Sequence, residues 1–151
     1  PMCRIAGANV AKYRLERRVR PVSGDVQKIP FGNESMDLVV SRGSFFFWKN
    51  LTWGFAECKR VLRPGGMAYI GGGFGNARLR DEIAVQMRER DPAWEEKRRG
   101  WYTNCSPPIV RSALAAAGIF EYDLVQDDSG YWVCFCKNGE QEKTRGSHRR
   151  P

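Results

Sequence analysis

Apolar residues recur along the chain at two spacings, one typical of helices and one typical of strands. Residues 2–15 and 51–62 repeat them at helical spacing, and Asn50 before the second segment is a good N-cap. Continuous apolar runs at 37–41 and 67–72 are instead typical of strands that are buried in a parallel sheet, covered on both faces. The pattern therefore predicts two helices that alternate with two buried strands.

Proline and glycine residues separate these elements from others. A short strand is predicted over 19–25, where Pro21 favours a position at the edge of a sheet. Arg-Pro-Gly-Gly at 63–66 predicts a type II turn before the second buried strand. After the glycine-rich residues 71–75, apolar side chains return at helical spacing from Leu79 onward, which predicts a further helix.

The C-terminal half closes the predicted sheet. Residues 92–104 are rich in tryptophan and charge, which favours a second helix or an insertion that acts as a lid. Ser106 with the two prolines after it predicts a helix start, and Gly118 predicts its end. Alternation over 120–126, a turn, and the strand pattern of 131–136 predict an antiparallel hairpin. The order of elements predicts an α/β fold with a mixed sheet.

Composition narrows the class of protein. The chain has 151 residues, about one domain, and 42% of them are hydrophobic, which is typical of a soluble globular protein. No apolar stretch is long enough to cross a membrane. The five cysteines are odd in number and lack C-x-x-C spacing, so we expect reduced thiols, a cytoplasmic protein and no metal site.

Part of the positive charge lies in the last fifteen residues. The net charge is +8, and residues 137–151 contain five Lys or Arg against two Glu. This segment has no apolar side chain, so we expect a disordered basic tail after a single domain at 1–136. The remaining positive charges are scattered, which is a weak indication of nucleic-acid binding.

The glycine-rich stretch at 71–75 is a candidate phosphate cradle that the spacing excludes. Counting G-x-G-x-x-G from Gly71 places Asn76 at the third glycine, and counting from Gly73 places Arg78 there. The acid at the expected distance, Asp91, follows a helix rather than a strand. We therefore interpret 71–75 as a connection that allows close approach of backbone or substrate.

Four motifs follow one another in the first half of the chain, at 24–26, 29–31, 37–40 and 60–66. They read Gly-Asp-Val, Ile-Pro-Phe, Asp-Leu-Val-Val and Arg-Val-Leu-Arg-Pro-Gly-Gly. In this order they resemble the class I S-adenosylmethionine-dependent methyltransferases, in the branch of the ubiquinone and menaquinone methyltransferases. The resemblance covers about residues 1–136. It implies a Rossmann-like sheet with helices on both faces, a C-terminal antiparallel hairpin, and S-adenosyl-L-methionine as the cofactor.

The resemblance also implies which residues contact the cofactor. Asp25 would accept a hydrogen bond from the adenine amine, the Val26 amide would serve a ring nitrogen, and the backbone around Arg42 would approach the methionine part. The alternatives are that Asp25 is a turn residue and that Arg42 forms a surface salt bridge. The full set of cofactor candidates is Met2, Gly24, Asp25, Val26, Ser41, Arg42 and Gly43.

Aromatic residues after the two buried strands predict the acceptor pocket. The segments with Phe46, Trp48 and Phe74 should emerge at the same edge of the sheet, because both follow parallel strands. We expect Trp48 or Phe46 on one wall to face Phe74 on the other, with 71–75 leaving room for substrate and 94–102 closing over it. The alternative is that they pack beneath the following helices. An apolar pocket favours a small-molecule methyl acceptor.

Two parts of the family pattern do not occur in this sequence. They are the glycine-rich loop after the family's first strand and the acid after its second strand. The helix that begins at Met2 resembles the one that directly follows this acid. The expectation is therefore a chain truncated at its N-terminus, without the first and second strands, that binds the cofactor poorly by itself.

Two other functions compete with methyl transfer to a small molecule. One is a non-catalytic binding or scaffold domain that has lost the cofactor, and the other is an RNA-directed methyltransferase, suggested by the basic charge. The sequence identifies no catalytic residue. Tyr102, Asp128 and Tyr131 are residues that could touch an acceptor, although each has a structural interpretation. The oligomeric state and the acceptor stay open.

Overall fold

The computed structural model describes residues 2–138 as five helices and four strands. The expected disordered tail lies outside the described residues, apart from Lys137 and Asn138. In chain order the elements are α1 (Met2–Lys12), β1 (Met36–Arg42), a 3-10 turn (Phe45–Phe47), α2 (Leu51–Val61), β2 (Leu62–Gly72), α3 (Ala77–Arg90), α4 (Trp94–Asn104), α5 (Pro107–Ala116), β3 (Asp123–Asp127) and β4 (Gly130–Cys136).

One sheet with the order β1-β2-β4-β3 organises the fold. β1 and β2 are parallel, as expected for strands joined by a helix, and β4 is antiparallel to both of its neighbours. The hairpin turn is fixed by Asp127, whose Oδ1 accepts hydrogen bonds from the Ser129 amide at 2.8 Å and hydroxyl at 2.6 Å. The predicted α/β class with a C-terminal antiparallel hairpin is confirmed.

The predicted turn at 63–66 lies inside the pairing of β2. Met36 pairs with Leu62 whereas Leu38 pairs with Met67, so the residues between Leu62 and Met67 bulge out of the ladder. Gly65 has a φ of 81°, the value that the third position of a type II turn requires. Its amide donates to the Lys137 carbonyl at 2.7 Å, so the first residue after the predicted domain still contacts β2.

The strand predicted over 19–25 is wrong. This segment is irregular, and its single ladder contact is an isolated bridge between Asp25 and Lys28. Val19 and Val22 are 44% and 41% exposed, and no described strand lies beside the segment to pair with it. A strand needs a neighbour for its backbone groups, and apolar alternation alone does not supply one.

Burial of β1 on both faces is also wrong for the described residues. Val39 packs against the core, but Leu38 and Val40 are 54% and 63% exposed. α2 and α5 cover the face that carries Ala68 and Ile70 of β2, and within residues 2–138 nothing comparable covers the other face. β1 is therefore half-buried, although its sequence is that of a fully buried strand.

Asparagine side chains begin two of the helices. Asn50 Oδ1 accepts the Trp53 amide at 3.0 Å, and Asn76 Oδ1 accepts the Leu79 amide at 2.8 Å. Ser106 occupies the same position before α5, but its side chain makes no capping bond and the prolines alone set the helix start. The helix starts predicted at Asn50 and Ser106 are correct, although Ser106 does not cap its helix through the side chain.

Replacing Asn50 with alanine should lower the free energy of unfolding by about 1 kcal/mol, because the Trp53 amide loses its acceptor. Urea denaturation would measure the change. Asn9→Ala is the matched control, since Asn9 is an exposed residue inside α1, and it should change stability by less than about 0.5 kcal/mol. Equal effects of the two substitutions would contradict a capping role for Asn50.

α3 and α4 form a pair that lies apart from the main core. α3 has no buried residue and packs mainly on α4. α4 has one buried side chain, Trp94. The helix itself contacts the 3-10 turn after β1. This pair therefore lies beside the carboxyl ends of β1 and β2, where the candidate site is found.

Candidate acceptor cavity

The carboxyl ends of β1 and β2 meet at one edge of the sheet. Arg42 is in register with Gly71, and the Gly43 amide donates to the Gly71 carbonyl at 2.6 Å. Gly43 has a φ of 77°, so the chain turns away from β1 directly after this bond. The turn leads into the 3-10 segment and leaves a cavity of about 350 Å³ between the two strand ends and the α3–α4 pair.

Aromatic pairs form the walls of this cavity. Each pair joins a ring from a loop to a ring from α4. The centroid distances are 4.9 Å for Phe46 and Tyr102, 5.0 Å for Phe47 and Trp101, and 6.4 Å for Phe74 and Trp94. Such contacts stabilise the position of α4 over the cavity beyond the area that they bury. α4 therefore takes the covering position that was expected of residues 94–102.

The predicted aromatic residues divide between two places. Phe46 and Phe74 line the same cavity, but Trp48 does not. The Trp48 ring lies against Gly54 and Phe55 of α2, with its Nε1 donating to the Ser44 hydroxyl at 3.2 Å. A side chain on Gly54 would overlap this ring. Trp48 therefore packs on α2 and lines a neighbouring cavity with Phe46 and Phe47, so Phe46 is the ring that shares a cavity with Phe74. A role for Trp48 in binding the acceptor stays a prediction.

The glycine-rich stretch packs against the hairpin more than it makes room for substrate. A Cβ on Gly71 would overlap the Tyr131 carbonyl, and one on Gly73 would overlap the Ser129 carbonyl. Gly72 is different, because a Cβ there would lie 3.1 Å from both the Gly43 amide and the Phe46 ring. The expectation that the whole segment leaves room for substrate is therefore wrong, and Gly72 alone faces the turn that carries Phe46.

Two arginines line the cavity in different environments. Arg98 lies over the rings of Trp94 and Tyr102, 5.4 and 5.9 Å from their centroids, and pairs with Glu95 at 3.0 Å. Arg42 donates through Nη2 to the Gly73 carbonyl at 2.9 Å and has no carboxylate partner in the described part of the chain. The surface salt bridge considered for Arg42 is therefore not formed by residues 2–138.

Ser41 and Ser44 fix the turn between β1 and the 3-10 segment. Their hydroxyl oxygens are 2.5 Å apart, and Ser44 also accepts the Trp48 indole. Ser41 is half-buried, and the space around the Gly43 Cα is open. The turn therefore presents a hydroxyl group and accessible backbone beside the end of β1.

Asp25 forms a turn, as its structural interpretation required. Its Oδ1 accepts the Gln27 amide at 2.9 Å, and its carbonyl accepts the Lys28 amide at 2.9 Å. Gly24 lies against Pro30, since a Cβ there would come within 2.7 Å of the proline Cδ. Val26 packs on the core at the same turn. The second carboxylate oxygen of Asp25 has no partner among residues 2–138, so it can still accept a hydrogen bond from a ligand.

A charged clamp holds the segment that follows Asp25. Glu57 accepts the Ile29 amide at 2.8 Å, and Arg60 donates to the carbonyls of Ile29 at 2.9 Å and Phe31 at 2.8 Å. Arg60 also binds Glu57 directly, at 2.6 Å, and it is the main reason that the pKa of the Glu57 carboxyl is lowered. The sequence analysis missed this clamp, although the three-residue spacing of Glu57 and Arg60 on α2 was its visible signal.

The remaining candidates lie away from the cavity or beneath it. Met2 is 74% exposed in the first turn of α1, which packs little on other elements. Tyr131 is buried behind Tyr102, with ring centroids 6.5 Å apart, and burial raises the pKa of Tyr131 to about 12. Asp128 is exposed and lies 3.5 Å from Arg80. Of the three possible acceptor contacts, only Tyr102 lines the 350 Å³ cavity.

Neither a metal cluster nor a membrane span is found in the described residues. No group of three or more His, Cys, Asp or Glu side chains within 2–138 could hold a metal ion. None of the described helices is both long and apolar enough to span a bilayer.

The Cys58 thiol is buried in the core. Desolvation raises its pKa to about 12, so Cys58 packs as an apolar side chain.

Comparison with known proteins points to one family. Residues 1–70 match the model of a methyltransferase domain. A protein from Methanococcus maripaludis, described as an S-adenosyl-L-methionine-dependent methyltransferase, has a crystal structure that superposes with a TM-score of 0.84. It is 39% identical, and the match covers 92% of this chain and 64% of that one. The chain is similar to the S-adenosylmethionine-dependent methyltransferases in sequence and in fold.

Two curated relatives extend the comparison. A demethylmenaquinone methyltransferase from Chlorobaculum parvum is 25% identical over 135 residues, which is 82% of this chain and 50% of that protein. A malonyl-[acyl-carrier protein] O-methyltransferase from Methylococcus capsulatus is 40% identical over 70 residues, or 46% of this chain and 25% of that protein. The chain thus spans at most half the length of these two relatives. The resemblance drawn from the four motifs is confirmed, and the family's cofactor is S-adenosyl-L-methionine.

Parts of this chain fit that cofactor. The unpartnered oxygen of Asp25 suits an amine donor such as that of adenine, and the Ser41 hydroxyl suits a polar group of the methionine moiety. Gly43 leaves its backbone open to close approach. The roles of all seven candidates as cofactor contacts stay predictions. They are Met2, Gly24, Asp25, Val26, Ser41, Arg42 and Gly43.

Proposed function

We propose that this chain carries the acceptor cavity and part of the cofactor site of an enzyme that methylates a small molecule. The observation that supports this most is the aromatic cavity at the joined ends of β1 and β2, beside the residues assigned to the cofactor. Ligands of open α/β sheets bind outside the carboxyl ends of the strands. The family assignment supplies the reaction, which is methyl transfer.

The residues proposed to hold the cofactor are Asp25 for the adenine amine and Ser41 with Gly43 for the methionine part. When bound, S-adenosylmethionine supplies an electrophilic methyl group attached to a sulfonium sulfur. The aromatic walls would orient the acceptor and exclude water, which is the main contribution that a displacement of this kind needs. Tyr102 is the one lining side chain with a hydroxyl group, and it is available to orient a polar atom of the acceptor.

A small acceptor is supported by the size and lining of the cavity. A volume of about 350 Å³ lies at the lower end of the range for small-molecule sites. The similar protein from Chlorobaculum parvum is named for a quinone-type substrate, and the one from Methylococcus capsulatus for an acyl group on a carrier protein. Both names describe small organic acceptors, of which the second is carried by a protein. We therefore assign this chain to small-molecule methylation rather than to RNA methylation.

Replacing Asp25 with alanine should weaken binding of S-adenosylmethionine by about tenfold, in the range of about 1–3 kcal/mol, because the adenine amine loses its acceptor. Isothermal titration calorimetry on the full-length protein would measure it. Asp123→Ala, an exposed acid in β3, is the matched control and should leave the affinity unchanged.

Two outcomes would contradict these assignments separately. Unchanged affinity in Asp25→Ala would remove Asp25 from the cofactor site but keep the function. Absence of S-adenosylmethionine binding by the full-length protein would contradict the enzyme itself and would favour a scaffold domain. A thermal melt of each variant would confirm that the turn at Asp25 still folds.

A further inference from the structure

Three ionisable side chains line the 350 Å³ cavity, and none of them is a carboxylate. They are the guanidinium groups of Arg42 and Arg98 and the phenol of Tyr102. No lining residue from the described part of the chain is an Asp, a Glu or a His. The cavity therefore offers positive charge and hydrogen-bond donors to a ligand, and among its lining residues Tyr102 alone is of a type that serves as a general acid or base.

Arg42 is the lining arginine with N–H groups left available for a ligand. It uses Nη2 on the Gly73 carbonyl, whereas a guanidinium carries five N–H groups and accepts nothing. Arg98 differs, because Glu95 neutralises it through two hydrogen bonds and two aromatic rings hold it in place. The positive charge left uncompensated in the cavity therefore belongs to Arg42.

We propose that the acceptor is an aromatic oxyanion, a carboxylate or an acidic phenol that is already ionised when it binds, with its charged oxygen at Arg42 and its ring between Phe46 and Phe74. This inference rests on the proposed function, since it names the class of substrate for the same site. The guanidinium plane matches a carboxylate with two parallel hydrogen bonds. The ring-lined walls match a flat apolar body.

Charge balance leads to the same class of acceptor. The methyl donor is a sulfonium cation, and Arg42 adds a second positive charge at the same end of the sheet. The sulfonium and Arg42 would both repel a cationic or protonated amine acceptor, whereas both attract an anion.

In the reaction, the oxyanion would form a bond to the methyl carbon while the carbon–sulfur bond breaks and its electron pair stays on sulfur. No proton moves, so no general base is needed.

The test compares 2-naphthoate with 2-naphthamide, which have the same ring and differ in charge. Both are titrated into the protein without cofactor and followed by NMR chemical shifts. We expect naphthoate to bind at least tenfold more tightly than naphthamide. In Arg42→Gln this preference should disappear while the affinity for naphthamide is kept, and Arg42→Lys should retain part of it. Arg78→Gln, an exposed arginine of α3 outside the cavity, is the control and should keep the full preference.

Titration of S-adenosylmethionine into the same variants separates the competing explanations. If Arg42→Gln loses cofactor affinity and keeps the preference for naphthoate, Arg42 serves the cofactor and the inference is overturned. Equal binding of naphthoate and naphthamide by the unaltered protein also overturns it, and cofactor binding in the same sample would show that the proposed function survives. Unchanged cofactor affinity together with a lost preference supports the inference.

Discussion

Gly71→Ala is expected to lower the free energy of unfolding by about 3 kcal/mol, because this position of β2 has no room for a side chain. The new Cβ would overlap the Tyr131 carbonyl and lie 2.7 Å from the Trp132 Cα. Both atoms belong to the backbone of β4, which is paired with β2 at this register and cannot move aside like a flexible side chain. Urea denaturation would measure the loss.

Gly7→Ala is the control for the Gly71 substitution. Gly7 lies in α1, and a Cβ there would meet nothing within 4 Å. Alanine should therefore leave stability unchanged or raise it by about 0.5–1 kcal/mol through helix propensity. A loss of less than about 0.5 kcal/mol in Gly71→Ala would show that β2 and β4 can separate at this point. The glycine-rich stretch would then be a flexible connection rather than a packed one.

The role of this stretch shows where sequence reasoning stops. Its spacing was sufficient to reject a phosphate cradle, because that motif is local and its glycines have fixed positions. What the glycines pack against was not visible, because the Tyr131 and Ser129 carbonyls lie more than fifty residues further along the chain. Contacts at such separation depend on the order of the strands in the sheet. The helices and the hairpin were predictable, since their caps and turns are local signals.

The aromatic residues after β1 illustrate the same limit at short range. Phe45, Phe46 and Phe47 form a 3-10 turn, and Trp48 follows it. Phe45 is fully buried, Phe46 and Phe47 line the cavity, and Trp48 packs on α2. Four consecutive rings in a turn point in different directions, and neither helical nor strand periodicity assigns them. The sequence therefore located the pocket but could not sort its wall from its surroundings.

The absence of a strand at 19–25 shows that pairing partners decide strands. The segment was expected to end at Asp25 with a carboxylate at the edge of a sheet. In the structure, the Glu57–Arg60 clamp and the Asp25 turn hold the chain after it instead of a ladder. The candidate cofactor residues at 24–26 therefore depend on side chains of α2 for their position. Removing the Arg60 side chain tests this dependence.

Arg60→Ala should lower the free energy of unfolding by about 3 kcal/mol, because two backbone carbonyls and the Glu57 carboxylate lose their charged donor together. Chemical denaturation would measure it, and weaker binding of S-adenosylmethionine should accompany it through the loosened turn at Asp25. Arg78→Ala removes an exposed helical pair with Glu82 and should cost less than about 0.5 kcal/mol. Similar losses in the two variants would mean that the clamp acts only as a surface ion pair.

The pH dependence of stability identifies the carboxylate in this clamp. Arg60 and the Ile29 amide lower the pKa of Glu57 in the folded protein below its ordinary value of 4.5, against the opposing effect of burial. A carboxylate with a lowered pKa contributes its stability above the unfolded-state value and loses it as the pH falls through the folded-state value. The stability difference between the unaltered protein and Glu57→Gln should therefore be constant between about pH 6 and 8 and shrink below about pH 4.5.

Urea midpoints from pH 3 to 8 would measure this difference, with Glu82→Gln as the exposed control. A difference that stays constant down to pH 3 would mean that the Glu57 charge does not hold the segment, and that the clamp acts through the Arg60 hydrogen bonds to the backbone alone.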